Sequence, residues 1–212
     1  MSIRNTQWVL ASRPKGQAQE SNFRMVETDL PTLLDGQVLI KVHYLSLDPY
    51  MRGRMDETKS YAAPQPIDAV MIGGTVGEVV ESRDDKYVPG DMVAGMGGWQ
   101  QYHITDGTGL RKVDTGHIPA SAYLGVVGMP GVTAWYGLLQ IGKPKAGETV
   151  VVSAASGAVG SVVGQLAKLH GCRAVGFASG KAKCQYVVDE LGFCIPQSEA
   201  GRRSRGRWAH WG

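Results

Sequence analysis

The segment Val150-Val151-Val152-Ser153-Ala154-Ala155-Ser156-Gly157-Ala158-Val159-Gly160 sets small residues where a strand would turn into a helix. Laid on the Gly-x-Gly-x-x-Gly pattern, Ala155 takes the first position, Gly157 the second and Gly160 the third. Each position has a physical task. A bare α-carbon at the second lets the backbone approach a pyrophosphate. A bare α-carbon at the third lets the helix lie close on the strand, with its N-terminal amides facing phosphate charge. A tight strand-to-helix turn with no ligand would use the same glycines. The surroundings favour the dinucleotide reading: an apolar strand precedes the loop, a helix follows it, and a second strand returns at the right distance.

The end of that second strand bears on which dinucleotide would bind. An NAD site carries Asp or Glu about 20 residues past the loop, where it holds the ribose 2′-hydroxyl. Here the strand ends Gly176-Phe177-Ala178-Ser179-Gly180-Lys181-Ala182-Lys183, with two lysines and no acid. Lysine attracts a 2′-phosphate that a carboxylate would repel, so NADPH is expected rather than NADH. A solvated lysine face at a helix start is the plain alternative.

Metal chemistry has little to work with. A catalytic zinc needs Cys, His or carboxylate ligands around an open position. The first 120 residues have no cysteine and only scattered histidines, His43, His103 and His117. The three cysteines, Cys172, Cys184 and Cys194, are odd in number and form no Cys-x-x-Cys pair, so inert thiols are expected. No metal site is expected.

The elements that must position this chemistry fall into two kinds. From residue 6 to about 115, β-branched runs are cut by turn residues. Gln37–Leu47 and Val70–Ser82 read as strands, the second broken by Gly73-Gly74 as a bulge or close backbone approach. Pro89-Gly90-Asp91 turns the chain, and Met92–Ile104 resumes extended structure. Near Ile118 the character changes. Ser121 can cap a helix over Ala122–Val127 that Met129-Pro130-Gly131 stops, and Val132–Ile141 reads as a second helix. Strand Thr149–Ser153, helix Val159–His170, strand Arg173–Phe177 and helix Ala182–Leu191 then follow, with Gly171 closing the first of these helices. This alternation predicts a parallel sheet with crossover helices. The expected class is α/β: an irregular β-barrel domain over 1–120, the first half of a Rossmann domain over 121–193, and a tail over 194–212 expected to be disordered.

Composition excludes more than it assigns. Hydrophobic residues are 43% and charged residues 19% of the 212, ordinary for a folded domain. No apolar run approaches the ~20 residues of a membrane span, and the N-terminus lacks a signal-peptide core, so a cytoplasmic protein without membrane partners is expected. The net charge of +3 resides in the last nineteen residues, which hold Arg202, Arg203, Arg205, Arg207 and one acid, Glu199. The remainder is balanced and offers no nucleic-acid surface.

The run Leu45-Ser46-Leu47-Asp48-Pro49-Tyr50-Met51-Arg52-Gly53-Arg54-Met55 resembles the zinc-independent double-bond reductases of the medium-chain dehydrogenase/reductase class. That group includes the leukotriene B4 dehydrogenase/prostaglandin reductases, the plant 2-alkenal reductases and the bacterial NADPH-dependent curcumin reductases. The resemblance continues through Gly128-Met129-Pro130-Gly131-Val132-Thr133-Ala134, Ala154–Gly160 and Gly164-Gln165-Leu166-Ala167-Lys168, and covers residues 6–193. The bacterial branch looks nearest, through Tyr61 and Gly98-Trp99-Gln100.

The resemblance implies a GroES-like β-domain ahead of the Rossmann sheet. It also implies NADPH-dependent reduction of the carbon–carbon double bond of an α,β-unsaturated ketone or aldehyde, an oxidoreductase reaction on a CH–CH bond. Negative charge then develops on the carbonyl oxygen and needs a donor where zinc would otherwise sit. A phenol, protonated at neutral pH with a pKa near ~10, suits that role, and Tyr50 and Tyr61 are the candidates. Their plain alternative is a core or rim aromatic. The resemblance places Gly157, Ala158 and Val159 by the pyrophosphate, Lys183 by the 2′-phosphate, and Met129 and Thr133 near the cofactor, with Ala155, Ser156, Gly160 and Gly180 also among the cofactor-binding residues. A homodimer is compatible with the family at full length. Members of the family run well over three hundred residues, and the resemblance stops after Phe193. A truncated form with a frameshifted tail is therefore expected, aggregation-prone and without turnover. The competing reading is a non-catalytic NADP-binding fragment.

Overall fold

The computed structural model describes residues 3–58 and 62–194. They form two compact units, one up to Met129 and one from Pro130 onward. The unit border falls some nine residues beyond the expected position near 120. A short 3-10 turn over Ala120–Leu124 stays with the N-terminal unit, where its Leu124 lies against Gly74.

In the N-terminal unit, β1 (Arg4–Leu10) pairs antiparallel with β2 (Phe23–Asp29). The strands β3 (Val38–Leu45), β4 (Thr75–Ser82), β5 (Met92–Gly95), β6 (Tyr102–Thr105) and β7 (Arg111–Lys112) make an antiparallel sheet in the order β6-β3-β4-β5-β7. Alternating side chains of β3 and β4 supply Val38, Ile40 and Val79 to one core with Tyr87 and Val93. A second core holds Leu10, Met55 and Met71, with Phe23 stacked on Trp99 at 5.4 Å between ring centres. The main chain of β1 reaches this region: the Trp8 amide donates to the Trp99 carbonyl at 2.8 Å, and the Met71 amide to the Trp8 carbonyl at 2.9 Å. Those bonds, with the isolated bridges Gln7–Gln100 and Val9–Val70, tie β1 to the segments around the larger sheet.

Several boundaries differ from the sequence reading, each for a local reason. The ladder expected from Val70 begins only at Thr75, because Gly73 makes the close approach that the Gly-Gly pair suggested. A Cβ there would lie 2.6 Å from Leu45 Cδ1. The extended run expected over Met92–Ile104 divides at Gly98, whose φ of +74° swings Trp99 onto β1. Met129-Pro130-Gly131 starts a helix instead of ending one. Helix α2 (Met129–Trp135) carries Pro130 in its first turn, where a missing N–H costs nothing. It passes into a π-helical turn over Tyr136–Gly142 that ends at Lys143 in the left-handed region.

In the second unit β8 (Thr149–Val152) runs parallel to β9 (Arg173–Gly176), crossed by α3 (Gly160–Leu169) and followed by α4 (Lys181–Asp189). Gly171, at φ +72°, lets α3 end and the chain turn back. Leu138, Val152, Ala155, Ala167, Val187 and Phe193 are among its buried residues. Phe193 fits because Gly164 and Gly176 face it, and a Cβ at Gly164 would run into its ring. The Cys194 amide donates to the Ala174 carbonyl at 2.8 Å, and Cys194 bridges Val175 in parallel. The sheet of this unit has the two strands read from sequence, and Cys194 adds an isolated bridge beside β9. The rest of the tail lies outside the described residues. Along the chain, a GroES-like β-domain is thus followed by a partial Rossmann-type sheet, as expected.

A polar knot secures β1. Asn5 Nδ2 and Gln7 Nε2 donate to Gln100 Oε1 at 3.1 and 2.7 Å, which fixes the amide orientation of Gln100. Its Nε2 then donates to the Gly97 carbonyl at 2.6 Å and faces His103 Nδ1 at 3.2 Å. Nδ1 must accept, so the ring is held neutral, and burial pushes the His103 pKa below its ordinary value. With the folded pKa lowered, the unfolded chain takes up the proton first. Stability is therefore complete above about pH 6.5 and falls as the pH drops from there through the folded pKa. We expect the urea midpoint to fall between pH 7 and 5, and His103→Gln to reduce that fall. Parallel pH profiles for the two proteins would contradict the assignment.

Candidate functional site

The strand-to-helix loop is built by backbone contact. Ala154, at φ +48°, turns the chain out of β8, and Ala155 is fully buried with its amide donating to the Phe177 carbonyl at 2.9 Å. A Cβ on Gly160 would overlap the Ala154 carbonyl, and one on Gly157 would sit 3.1 Å from the same oxygen. Among the described residues, the amides of Ser156, Ala158, Val159 and Gly160 have no backbone acceptor. They are the unfilled donors at the start of a ten-residue helix, a ready anion site. Gly157 leaves these donors free of a side chain, and a side chain at Gly160 would push the helix off the Ala154 carbonyl.

The end of β9 leads into Gly180, whose φ of 82° and ψ of 151° belong to a region reserved for glycine. The chain then enters α4 directly. Lys181 and Lys183 stand exposed in its first turn, with no acid beside them there. The loop amides and the two lysines thus belong to one unit. Lys168 does other work, donating from α3 to the Leu191 carbonyl at 2.8 Å.

The tyrosine motif belongs to the N-terminal unit. Pro49 opens α1 (Tyr50–Arg54), Met51 and Met55 face inward, and Arg52 clamps the helix. The Arg52 guanidinium donates to the Gly16 carbonyl at 2.7 Å and to Asp56 Oδ1 at 2.7 Å. The clamp role of Arg52 was not foreseen, although its four-residue spacing to Asp56 is visible in the sequence. So held, Tyr50 borders a cavity of about 370 Å³ with Ser46, Asp48, Met96, Leu124 and Met129, a size and lining that suit a small organic molecule. The structure thus brings Tyr50 and Met129 together. Thr133 lies one turn further along α2. Tyr61 lies outside the described residues. His43 faces Glu78 at 3.7 Å, and no three metal-ligating side chains converge among the described residues.

Residues 6–113 match the model of the N-terminal domain of oxidoreductase, so the chain belongs to that oxidoreductase family. It is 54% identical over 192 residues to the NADPH-dependent curcumin reductase of Escherichia coli, covering 91% of this chain and 56% of that protein. It is 44% identical to rat prostaglandin reductase 1, over 89% of this chain and 56% of the relative. The crystal structure of CurA in complex with NADPH from Vibrio vulnificus superposes with a TM-score of 0.84 at 50% identity, over 92% of this chain and 58% of that one. The chain spans a little over half the length of these relatives. No helix among the described residues is long and apolar enough to cross a membrane.

The glycine contacts make a direct test. Gly160→Ala pushes a methyl group into the Ala154 carbonyl and is expected to cost about 1–3 kcal/mol, measured as a lowered urea midpoint. Gly53→Ala, in α1 with open space around it, should change the midpoint little. Equal effects at the two positions would contradict the close-approach argument.

Proposed function

We propose that this protein is the cofactor-binding and substrate-facing part of an NADPH-dependent reductase acting on the carbon–carbon double bond of α,β-unsaturated ketones and aldehydes. The observation that carries the reading is the pairing, within one unit, of an unfilled amide cradle at Ser156–Gly160 with Lys183 where an acid would mark NADH. Similarity to reductases whose names include NADPH, curcumin and prostaglandin supports it. We further place the protein in the cytoplasm, independent of zinc and free to pair with a second copy.

NADPH, when bound, supplies the two-electron reducing equivalent for the β-carbon of the enone. The remaining tasks fall to the chain. The amides of Ser156, Ala158, Val159 and Gly160 hold the pyrophosphate against the α3 N-terminus, with Gly157 keeping the approach open. Lys183 pairs with the 2′-phosphate, and Gly180 lets the chain turn toward it. Met129 and Thr133 border the cofactor. Tyr50 donates its phenolic hydrogen bond to the substrate carbonyl, whose oxygen gains negative charge as the double bond is reduced. Tyr61 is the second candidate for that donor.

Two measurements check this. The 212-residue chain should bind NADPH more tightly than NADH, and Lys183→Glu should weaken NADPH binding by about 1.5–3 kcal/mol, the scale of a lost charge-assisted hydrogen bond. Equal affinities in the unmodified chain would count against the cofactor assignment. In a protein extended to the length of its relatives, Tyr50→Phe should lower kcat by about 10²-fold if that hydroxyl is the sole donor, and chelators should leave the rate unchanged. Full rate in Tyr50→Phe, in Tyr61→Phe and in the double variant would remove both phenols from the chemistry.

A further inference from the structure

The wall of the Tyr50 cavity contains one cation. Strand β7 has two residues, and their side chains leave on opposite faces. Lys112 turns to Asp91, with Nζ to Oδ2 at 2.7 Å, and lies 5.7 Å from the centre of the Tyr87 ring. That contact holds the Asp91 carboxyl below its usual range. Arg111 takes the other face and borders the cavity together with Tyr123, its guanidinium carbon 5.7 Å from the centre of the Tyr123 ring.

Tyr123 is itself anchored, since its hydroxyl donates to the Asp114 carbonyl at 2.5 Å. The ring is thus a fixed platform that orients the guanidinium plane by cation–π attraction while leaving its N–H edge uncommitted. Among the described residues Arg111 makes no ion pair and no side-chain hydrogen bond. Around it the cavity is lined by Gly74, Ala94, Gly95 and Met96, which offer no competing charge. The other charged group bordering the cavity is Asp48, beside Tyr50.

We propose that Arg111 is a specificity-determining residue that reads an anionic group, a carboxylate first of all, on the end of the substrate remote from the reduced double bond. This rests on the enone-reductase reading given above and adds a polarity to the cavity. The planar N–H fork of Arg111 matches a carboxylate in two parallel bonds. The opposing charge of Asp48 disfavours the reversed orientation, which would bring the carboxylate next to Tyr50. Neutral enones remain ligands but lose this contact.

The test uses a matched pair of probes, the para-carboxylate of benzylideneacetone and its methyl ester, which share the enone and differ in charge. Their binding to the 212-residue chain is measured by calorimetric titration at low ionic strength. The unmodified protein should bind the carboxylate at least about tenfold more tightly than the ester. Arg111→Met should bring the ratio of the two affinities close to one. Arg111→Lys, which keeps the charge but loses the fork, should leave an intermediate ratio that shrinks with added salt. Asp48→Asn should leave the sign of the preference intact. A ratio near one in the unmodified protein, or a preference that survives Arg111→Met, overturns the role of Arg111 while leaving the enone-reductase reading in place. Failure of both probes to bind overturns the two together.

Discussion

The second unit depends on one close contact, the approach of α3 to the end of β8 at Gly160 and the Ala154 carbonyl. With no Cβ at Gly160 the helix starts directly above the strand. Its first amides are then left without acceptors on the same side as the loop. The same economy of side chains recurs below. Gly164 and Gly176 make room for the Phe193 ring, which fills the space between helix and sheet. One set of missing side chains thus gives the sheet its packing and the loop its capacity for an anion. Packing and binding cannot be separated by substitution at Gly160.

The N-terminal unit solves a different problem. Its candidate site is a cavity wall, so the task is to hold a short helix at a fixed place beside the sheet. Buried Met51 and Met55 seat α1, and Arg52 pins it to the Pro14–Gly16 turn, where Gly16 adopts φ +82°. Gly73 lets Leu45, Met51 and Trp99 meet beneath it. Tyr50 is therefore presented by neighbours whose side chains never reach the cavity.

Much of this could be read from residues alone where local rules govern. The β8-α3-β9-α4 alternation, the three loop positions and the chain reversal at Gly171 follow from period, glycine placement and spacing, and each appears within a residue or two of its expected limits. Reading failed where a distant contact overrides the local signal. Met129-Pro130-Gly131 looks like a stop, yet proline is harmless in a first turn, and the helix begins there. Trp99 interrupts an apparently continuous strand because it must stack on Phe23, a partner 76 positions away in sequence. Arg111 and Tyr123 gave no sequence signal at all. Their relation depends on which face of a two-residue strand each neighbour occupies. Tyr50 could be named only through resemblance, since nothing in its spacing distinguishes a cavity tyrosine from a buried one.

We propose that Ser156–Gly160 and Gly180–Lys183 form one anion-reading surface for a 2′-phosphorylated dinucleotide. Amide NMR of the 212-residue chain titrated with 2′,5′-ADP and with 5′-AMP tests it most directly. The account predicts that both nucleotides shift the amides of Gly157, Ala158, Val159 and Gly160, and that only the 2′-phosphate shifts Gly180 and Lys183 and tightens binding. Saturation by 2′,5′-ADP with the loop amides unmoved, or identical affinities and shifts for the two nucleotides, would contradict it.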